Sequence, residues 1–307
     1  MIDLVIDRRA HDLGGGFEVG RVLPFVKRRM VGPFIFFDHV GPVDLAPGIP
    51  KALDVRPHPH IGLATVTYLT SGQITHRDSL GCHQEIRPHE VNWMVAGSGI
   101  THSERFEEAR AHGAHMHGLQ AWVALPTALE ECAPSFTHLA GEAELPVFHA
   151  DGVVGRLIAG RYSGLVAATP TQSPLFYLHL DMAAGSSTAV SAEYTERAVY
   201  IAAGSADVGD RKLRTGQMAI LSPGGVVRVT AEEPATIMLL GGEPLGERHL
   251  LWNFVSSSKA RLEQAAADWI AGRMKLPVGD DREFTPLPEE YAARSVGKPE
   301  SRASERG

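Results

Sequence analysis

His58-Pro59-His60 and His102-Ser103-Glu104 each place two metal-ligand side chains one residue apart. On a β-strand, residues i and i+2 point to the same face. Two such pairs on neighbouring strands can therefore aim three imidazoles and one carboxylate at a single point. Nitrogens with one carboxylate oxygen suit iron, manganese, nickel, copper or zinc, and they exclude a thiolate site. An octahedral ion held by four such groups keeps up to two positions open for water, dioxygen or a chelating substrate. Closed structural zinc sites are normally rich in thiolate, so this donor set leans towards catalysis. The competing reading is two unrelated polar strand faces.

Histidine is unevenly placed. Eleven of the fifteen lie at or before His117, so any chemistry belongs to the first half of the chain. Other candidates compete there. His115-Met116-His117 is a second His-x-His. His117 shares a strand face with Leu119, Ala121 and Val123, and is expected to line the cavity without being a ligand. His112 and His115 sit among glycine and alanine and read as loop residues. His76 and His83 flank an apparent hairpin turn, Arg77 to Gly81, and are possible pocket residues. Loops around Asp38, His76 and Phe106 are expected to shape the pocket. Glu104 is the one carboxylate of the set. With a lengthened metal bond it could serve as general base towards a substrate hydroxyl. No Ser-His-Asp elbow, phosphate-binding loop or dinucleotide fingerprint competes, and Gly14-Gly15-Gly16 reads as a flexible turn.

The elements that must position these residues are strands. Glycine (32) and proline (20) punctuate short apolar runs throughout the 307 residues. Leu63 to Leu69, Val91 to Ala96 and Leu119 to Leu125 are β-branched or aromatic runs of strand length. After a polar stretch from Pro126 to Pro134, a second series follows at similar spacing: Leu175 to Leu180, Ala198 to Ala203, Gln217 to Leu221, Val226 to Thr230 and Thr236 to Leu240. The repeated rhythm predicts an all-β protein of two tandem barrels, residues 1–140 and 141–290, with a flexible tail over 291–307. One helix is expected late in the chain. Ser256-Ser257-Ser258 supplies N-cap hydroxyls, Leu262, Ala265, Ala266 and Trp269 recur at helical spacing, and Gly272 ends it.

Composition removes other classes. The formal net charge is −7, which gives no basic footprint for nucleic acid. No apolar run approaches the ~20 residues of a membrane span. The N-terminus lacks the form of a signal peptide. Two cysteines, Cys82 and Cys132, fit a reducing compartment. A soluble, cytoplasmic, monomeric protein is expected.

With these residues assembled, the chain resembles the pirin family, two-barrel members of the cupin superfamily. The likeness is densest in Arg29 to His39, His58 to Leu69, Asn92 to Glu104 and Gly118 to Val123. Trp252 to Ser258 is similar to the family's C-terminal signature. The resemblance implies two jelly-roll-like cupin barrels, with a metal in the first and none in the second. It implies the ligands His58, His60, His102 and Glu104, and one divalent ion, iron(II) first, with manganese, nickel, copper, cobalt or zinc accepted. It further implies a quercetin 2,3-dioxygenase activity, in which a flavonol and dioxygen react. The alternative it implies is a non-enzymatic, iron-binding, redox-sensing regulator with a protein partner. Two departures stand out. Cupins often place a glutamate four residues after His-x-His, where this chain has Ala64. Pirins usually have Pro-Gly before the second motif, where this chain reads Pro88-His89-Glu90. Histidine adopts positive φ only at a cost, so a changed turn is expected there.

Overall fold

Apolar runs of strand length bounded by glycine and proline fold, as expected, into antiparallel sheets. The computed structural model describes residues 1–13 and 16–291. The tail expected over 292–307, and Gly14-Gly15 of the expected glycine turn, lie outside the described residues.

Each half has a large sheet and a four-stranded one. The first half's large sheet runs in the order Ser135–Leu139, Val91–Val95, Leu63–Ser71, Ala114–Ala124, Phe34–Leu45, Glu18–Leu23, Arg9–Asp12. Its small sheet runs Val55–His60, Ile100–Arg105, Ile74–Asp78, His83–Ile86. Leu69, Val40 and Val19 of the large sheet meet Ile74, Ile86 and Phe106 from the small sheet's side in one cluster, so the two sheets face each other. The second half repeats the plan. Glu196–Ala203, Ala235–Gly242 and Leu175–Met182 are at the centre of its large sheet, and Val227–Ala231 pairs with Ser205–Val208 in its small one.

The chain does not stay within these halves. Ile2–Asp7 pairs with Gln217–Leu221 at the edge of the second half's sheet. After the second half, His249–Leu251 and Phe254–Ser256 form a short hairpin, and the helix Lys259–Ile270 follows. The helix is the expected one. Ser258 caps it by accepting from the Arg261 amide, it buries Leu262, Ala265, Ala266 and Trp269, and Gly272 leaves it at φ 67°. It packs on Ile61, directly after the His-x-His pair. Tyr291 packs in the same cluster.

The outer faces of the two large sheets pack against each other and form the largest core. Phe34, Phe37, Tyr68, Trp93 and Ala121 of one half meet Tyr177, Tyr200, Met238 and Leu240 of the other. Ala64, the departure from the cupin pattern, is fully buried in this core. Two reciprocal bonds cross it. Tyr200 Oη lies 2.6 Å from His39 Nδ1, and Tyr68 Oη lies 2.7 Å from His179 Nδ1. Each tyrosine sits on a central strand of one large sheet and reaches a histidine of the other.

The His39 side resolves into one proton arrangement. Arg8 can only donate, and its Nη1 is 3.2 Å from His39 Nδ1, so that nitrogen accepts. His39 Nε2–H then donates to His117 Nε2 at 2.7 Å, and His117 Nδ1–H donates to Thr70 Oγ1 at 2.8 Å. His117 does share its face with Leu119, Ala121 and Val123, but that face is the seam between the halves. From this strand Leu119, Gln120 and Trp122 line the cavity, and His117 does not.

Burial, together with the neighbouring His117 and Arg8, holds His39 neutral, with its pKa lowered from 6.5 to about 3. An unfolded chain takes up a proton there as pH falls below 6.5, while the folded seam refuses it. The stability tied to His39 is therefore whole above about pH 7 and is lost from about 6.5 towards 3, by roughly 2 kcal/mol at pH 5. Urea midpoints should fall between pH 7 and pH 5, and fall less in His39→Gln. An identical pH dependence in the variant would remove His39 from this role.

Candidate metal centre

Both ligand pairs sit on adjacent strands of the first half's small sheet. Val55–His60 carries Pro57 and Pro59, which lack an N–H for the ladder and so belong on an edge strand. The strand is indeed at the edge. Thr285 donates its amide to the Pro57 carbonyl and covers part of that edge. Ile100–Arg105 runs antiparallel beside it, with His102 directly opposite His58 and Ile100 opposite His60. A register shift between His102 and Glu104 leaves Glu104 opposite Val55.

Alternation divides the Ile100–Arg105 strand cleanly. His102 and Glu104 face inward. Ser103 and Arg105 face the other way and grip Asp280. Ser103 Oγ donates at 2.6 Å, and Arg105 donates from Nε at 2.8 Å and from Nη2 at 2.7 Å. A paired guanidinium–carboxylate of this kind fixes orientation as well as adding energy. The segment after the helix thus clamps the strand that carries the second ligand pair.

The donor atoms of His58, His60 and His102 all lie within 4.8 Å of one another, and all three rings are buried. His58 Nδ1–H donates to the Arg56 carbonyl at 2.9 Å, and His60 Nδ1–H donates to the Asn253 carbonyl at 3.0 Å. Both Nε2 atoms are therefore lone pairs aimed inward, the tautomer a metal needs. His60 Nε2 and His102 Nε2 are 3.1 Å apart. Two nitrogens at right angles on one ion, with bonds near 2.1 Å, would be separated by about 3 Å. His102 Nδ1 is buried and has no partner among the described residues. A cluster with converging lone pairs and an orphaned ring nitrogen is under-satisfied without a cation, so these residues fit a metal.

Burial also keeps the rings neutral. His58 is lowered to about 4, and His60 and His102 go well below their ordinary value. Neutral imidazole is the ligating form.

Glu104 lines the same cavity, but its carboxylate lies outside the compact three-nitrogen group. Thr67 Oγ1 donates to its Oε1 at 3.2 Å. Burial pushes its pKa up, while His76 and the Thr67 bond pull it back. His76 is opposite Glu104 on the next strand, buried, stacked on Phe136 at 4.5 Å and bonded to Asp78 at 3.1 Å. It shares the inward face of the sheet with Glu104 and His102, 5.2 Å from the His102 ring, but does not line the cavity. His83 is exposed. His112 ends a short helix, Glu107–His112, and His115 is in the strand Ala114–Ala124, paired with exposed Asp44. Asp38 and Phe106 line the cavity, but Asp38, like His76, lies in a strand and not in the loop expected there. Cys82 and Cys132 are free thiols whose pKa values burial raises, which makes them poor nucleophiles.

The cavity holds about 500 Å³, within the range of small-molecule sites. Aromatic rings lead away from the metal group. Trp122 meets His60 edge to face at 5.0 Å and stacks on Phe36 at 4.0 Å. Arg21 lies over Phe36 at 4.5 Å and forks onto Asp38 at 3.0 and 2.9 Å. Trp252, Pro288 and Tyr291 close the cavity from the C-terminal segment. Trp252 and Asn253 belong to the run that resembles a family signature, which was the one hint of their place here.

The turn that carries His89 places that residue in the left-handed region. His89 has φ 66°, the region that glycine would permit, so the histidine here adopts positive φ despite its cost.

Comparison with known proteins places both halves of the chain. Residues 16–123 match the pirin family model, and residues 177–275 match that of the pirin C-terminal cupin domain. A pirin-like protein of Caulobacter vibrioides is 62% identical over 94% of this chain and 100% of its own length. A crystal structure of quercetin 2,3-dioxygenase from Acinetobacter baumannii superposes with a TM-score of 0.85 at 32% identity, covering 93% of this chain and 94% of that one. A bacterial pirin from Escherichia coli in complex with nickel(II) shares the fold, with a TM-score of 0.62 at 16% identity over 80% of this chain and 100% of that one. With two cupin domains, a three-histidine cluster in the first and matches across both halves, the chain belongs to the pirin family.

Proposed function

We propose that this chain is a metal-dependent dioxygenase that cleaves flavonols such as quercetin with dioxygen. The observation that carries the reading is the cluster of three neutral imidazoles beside Glu104, at the base of an aromatic-lined cavity. The likeness to a quercetin 2,3-dioxygenase structure supports it. His58, His60 and His102 would hold the ion, with Glu104 as fourth ligand. Iron(II) is the first choice, and manganese, nickel, copper, cobalt and zinc also suit the donors. When bound, the ion supplies Lewis acidity and a one-electron route between an enolate and dioxygen.

The chain's own residues do the rest. Phe36, Trp122 and Trp252 offer flat apolar walls to a planar ring system. Thr67 steadies the Glu104 carboxylate by donating to Oε1 and leaves the other oxygen to accept a proton from the substrate's enolic hydroxyl. Burial makes Glu104 a stronger base than an exposed carboxylate. Pro288 and Tyr291 limit water at the mouth.

His102→Ala should abolish stoichiometric binding of divalent transition ions in equilibrium dialysis. The metal-free variant should stay within about 2 kcal/mol of metal-free wild type in urea, because the lost ring already had an unpartnered buried nitrogen. Retained binding would show that the ion is held elsewhere.

Iron(II)-loaded protein should bleach quercetin only when oxygen is admitted. Glu104→Gln should lower kcat by about 100-fold or more while metal content changes much less. Absence of oxygen-dependent bleaching with every ion named above would overturn the flavonol reading and leave the regulatory one, with its protein partner.

A further inference from the structure

A second group of ligand-type side chains lies where the two halves meet. His89 comes from the Arg87–Glu90 turn of the first half. His179 and Asp181 come from the Leu175–Met182 strand of the second and share one face. One ligand atom from each lies within 4.8 Å of the other two. His179 is buried, while His89 and Asp181 are half-buried, which leaves one side open to water.

The outward atoms of two of these groups are held from behind. His179 Nδ1 is 2.7 Å from Tyr68 Oη. Asp181 Oδ2 accepts from Arg156 Nη1 at 2.7 Å. That leaves His179 Nε2 and Asp181 Oδ1 turned towards each other at 3.1 Å, with Thr236 Oγ1 also donating to Oδ1 at 3.3 Å. Such outer partners are what orient ligands at metal sites. The Tyr68 hydroxyl serves either tautomer: it donates to Nδ1 when Nε2–H bonds Asp181, and it accepts from Nδ1–H when Nε2 is needed as a lone pair. Arg156 is also paired with Glu142 at 2.8 Å, so Asp181, Glu142 and Arg156 together carry one net negative charge.

His89 is the second, independent pointer. It occupies φ 66°, a conformation that costs a non-glycine residue of order 1 kcal/mol or more. The turn is fixed there because the His89 amide donates to the Leu69 carbonyl at 2.8 Å. Its ring lies 5.7 Å from that of His179, at a 42° tilt. Burial and the nearby Arg156 lower its pKa, which keeps it neutral. The equivalent place on the other side of the seam differs. There Tyr200 and His39 lead to His117 and Thr70, with no carboxylate among their bonds.

We infer that His89, His179 and Asp181 form a second divalent-metal site that clasps the two halves together, with water completing the coordination. Two imidazole nitrogens and one carboxylate oxygen suit zinc, cobalt or nickel. The site is separate from the cavity and independent of the proposed dioxygenase activity. It also lies outside the second half's own interior, because one ligand belongs to the first half.

The test is zinc titration by calorimetry, with metal content checked after dialysis. Wild type should bind two equivalents. His89→Gly should bind one, and should fold at least as well without metal, because glycine suits φ 66°. A variant carrying His58→Ala and His60→Ala should bind one equivalent, with a zinc-dependent rise in melting temperature. Adding His89→Gly to it should remove both the binding and the rise. A wild type that binds a single equivalent, unchanged in His89→Gly, would overturn the clasp. So would zinc binding by the triple variant equal to that of the double.

Discussion

The large sheets of the two halves are covered on both faces, and the rest of the molecule is arranged around that fact. One face of each packs on its own small sheet, and the other packs on its counterpart across the seam. The seam is apolar apart from its histidine bonds and the buried, unpartnered Tyr177 hydroxyl and Trp93 indole N–H, so its strands read as nearly unbroken hydrophobic runs. Leu63 to Leu69 is buried at every position. A sheet covered this way cannot slip in register without moving two cores at once. The reciprocal Tyr200–His39 and Tyr68–His179 bonds add direction to a contact that is otherwise non-directional. A buried hydroxyl or ring nitrogen left unpaired costs about 1–3 kcal/mol, so misalignment of the halves is penalised at two separated points.

The candidate metal centre depends on a different constraint, the proline-bearing edge strand. Pro57 and Pro59 keep Val55–His60 from being a central strand, which would leave the His-x-His pair on a loose margin. The C-terminal return compensates. Asn253 accepts from His60, Thr285 bonds Pro57, and Asp280 holds Ser103 and Arg105. Glu130, from the stretch that follows the first half's last central strand, ties this return down. It binds the amide and hydroxyl of Ser257, the hydroxyl of Ser256 and the buried Arg248. The site of the first half is thus completed by residues more than 150 positions away in sequence.

Local pattern was legible and long-range pairing was not. The strand runs, the Ser258-capped helix and the pairing of His58 with His60 and of His102 with Glu104 on one strand face each were all readable, because period, capping chemistry and i, i+2 spacing are local properties. His117 shows where that reading stops. Its face-sharing with Leu119, Ala121 and Val123 was right, yet the face proved to be the seam. A strand buried on both sides has no polar side to say which way is out. Asn253 was unreadable for another reason: it acts through its backbone carbonyl, and any residue could supply one. Glu104 was visible as a carboxylate, but its distance from the three nitrogens follows from the register shift after His102, which spacing alone does not reveal.

The three imidazoles would repel or leave nitrogens unpaired if the scaffold let them relax. They stay together because each is anchored by something that does not depend on a metal. Two are fixed by backbone carbonyls, and the third by a strand whose far side is locked to Asp280. The free energy stored in that under-satisfied cluster is recovered when a cation enters, so preorganisation raises affinity without rearrangement. Glu104 stands apart from this logic. It is held by one threonine hydroxyl, and the proposed role of holding an ion and accepting a proton would draw on that lighter anchoring.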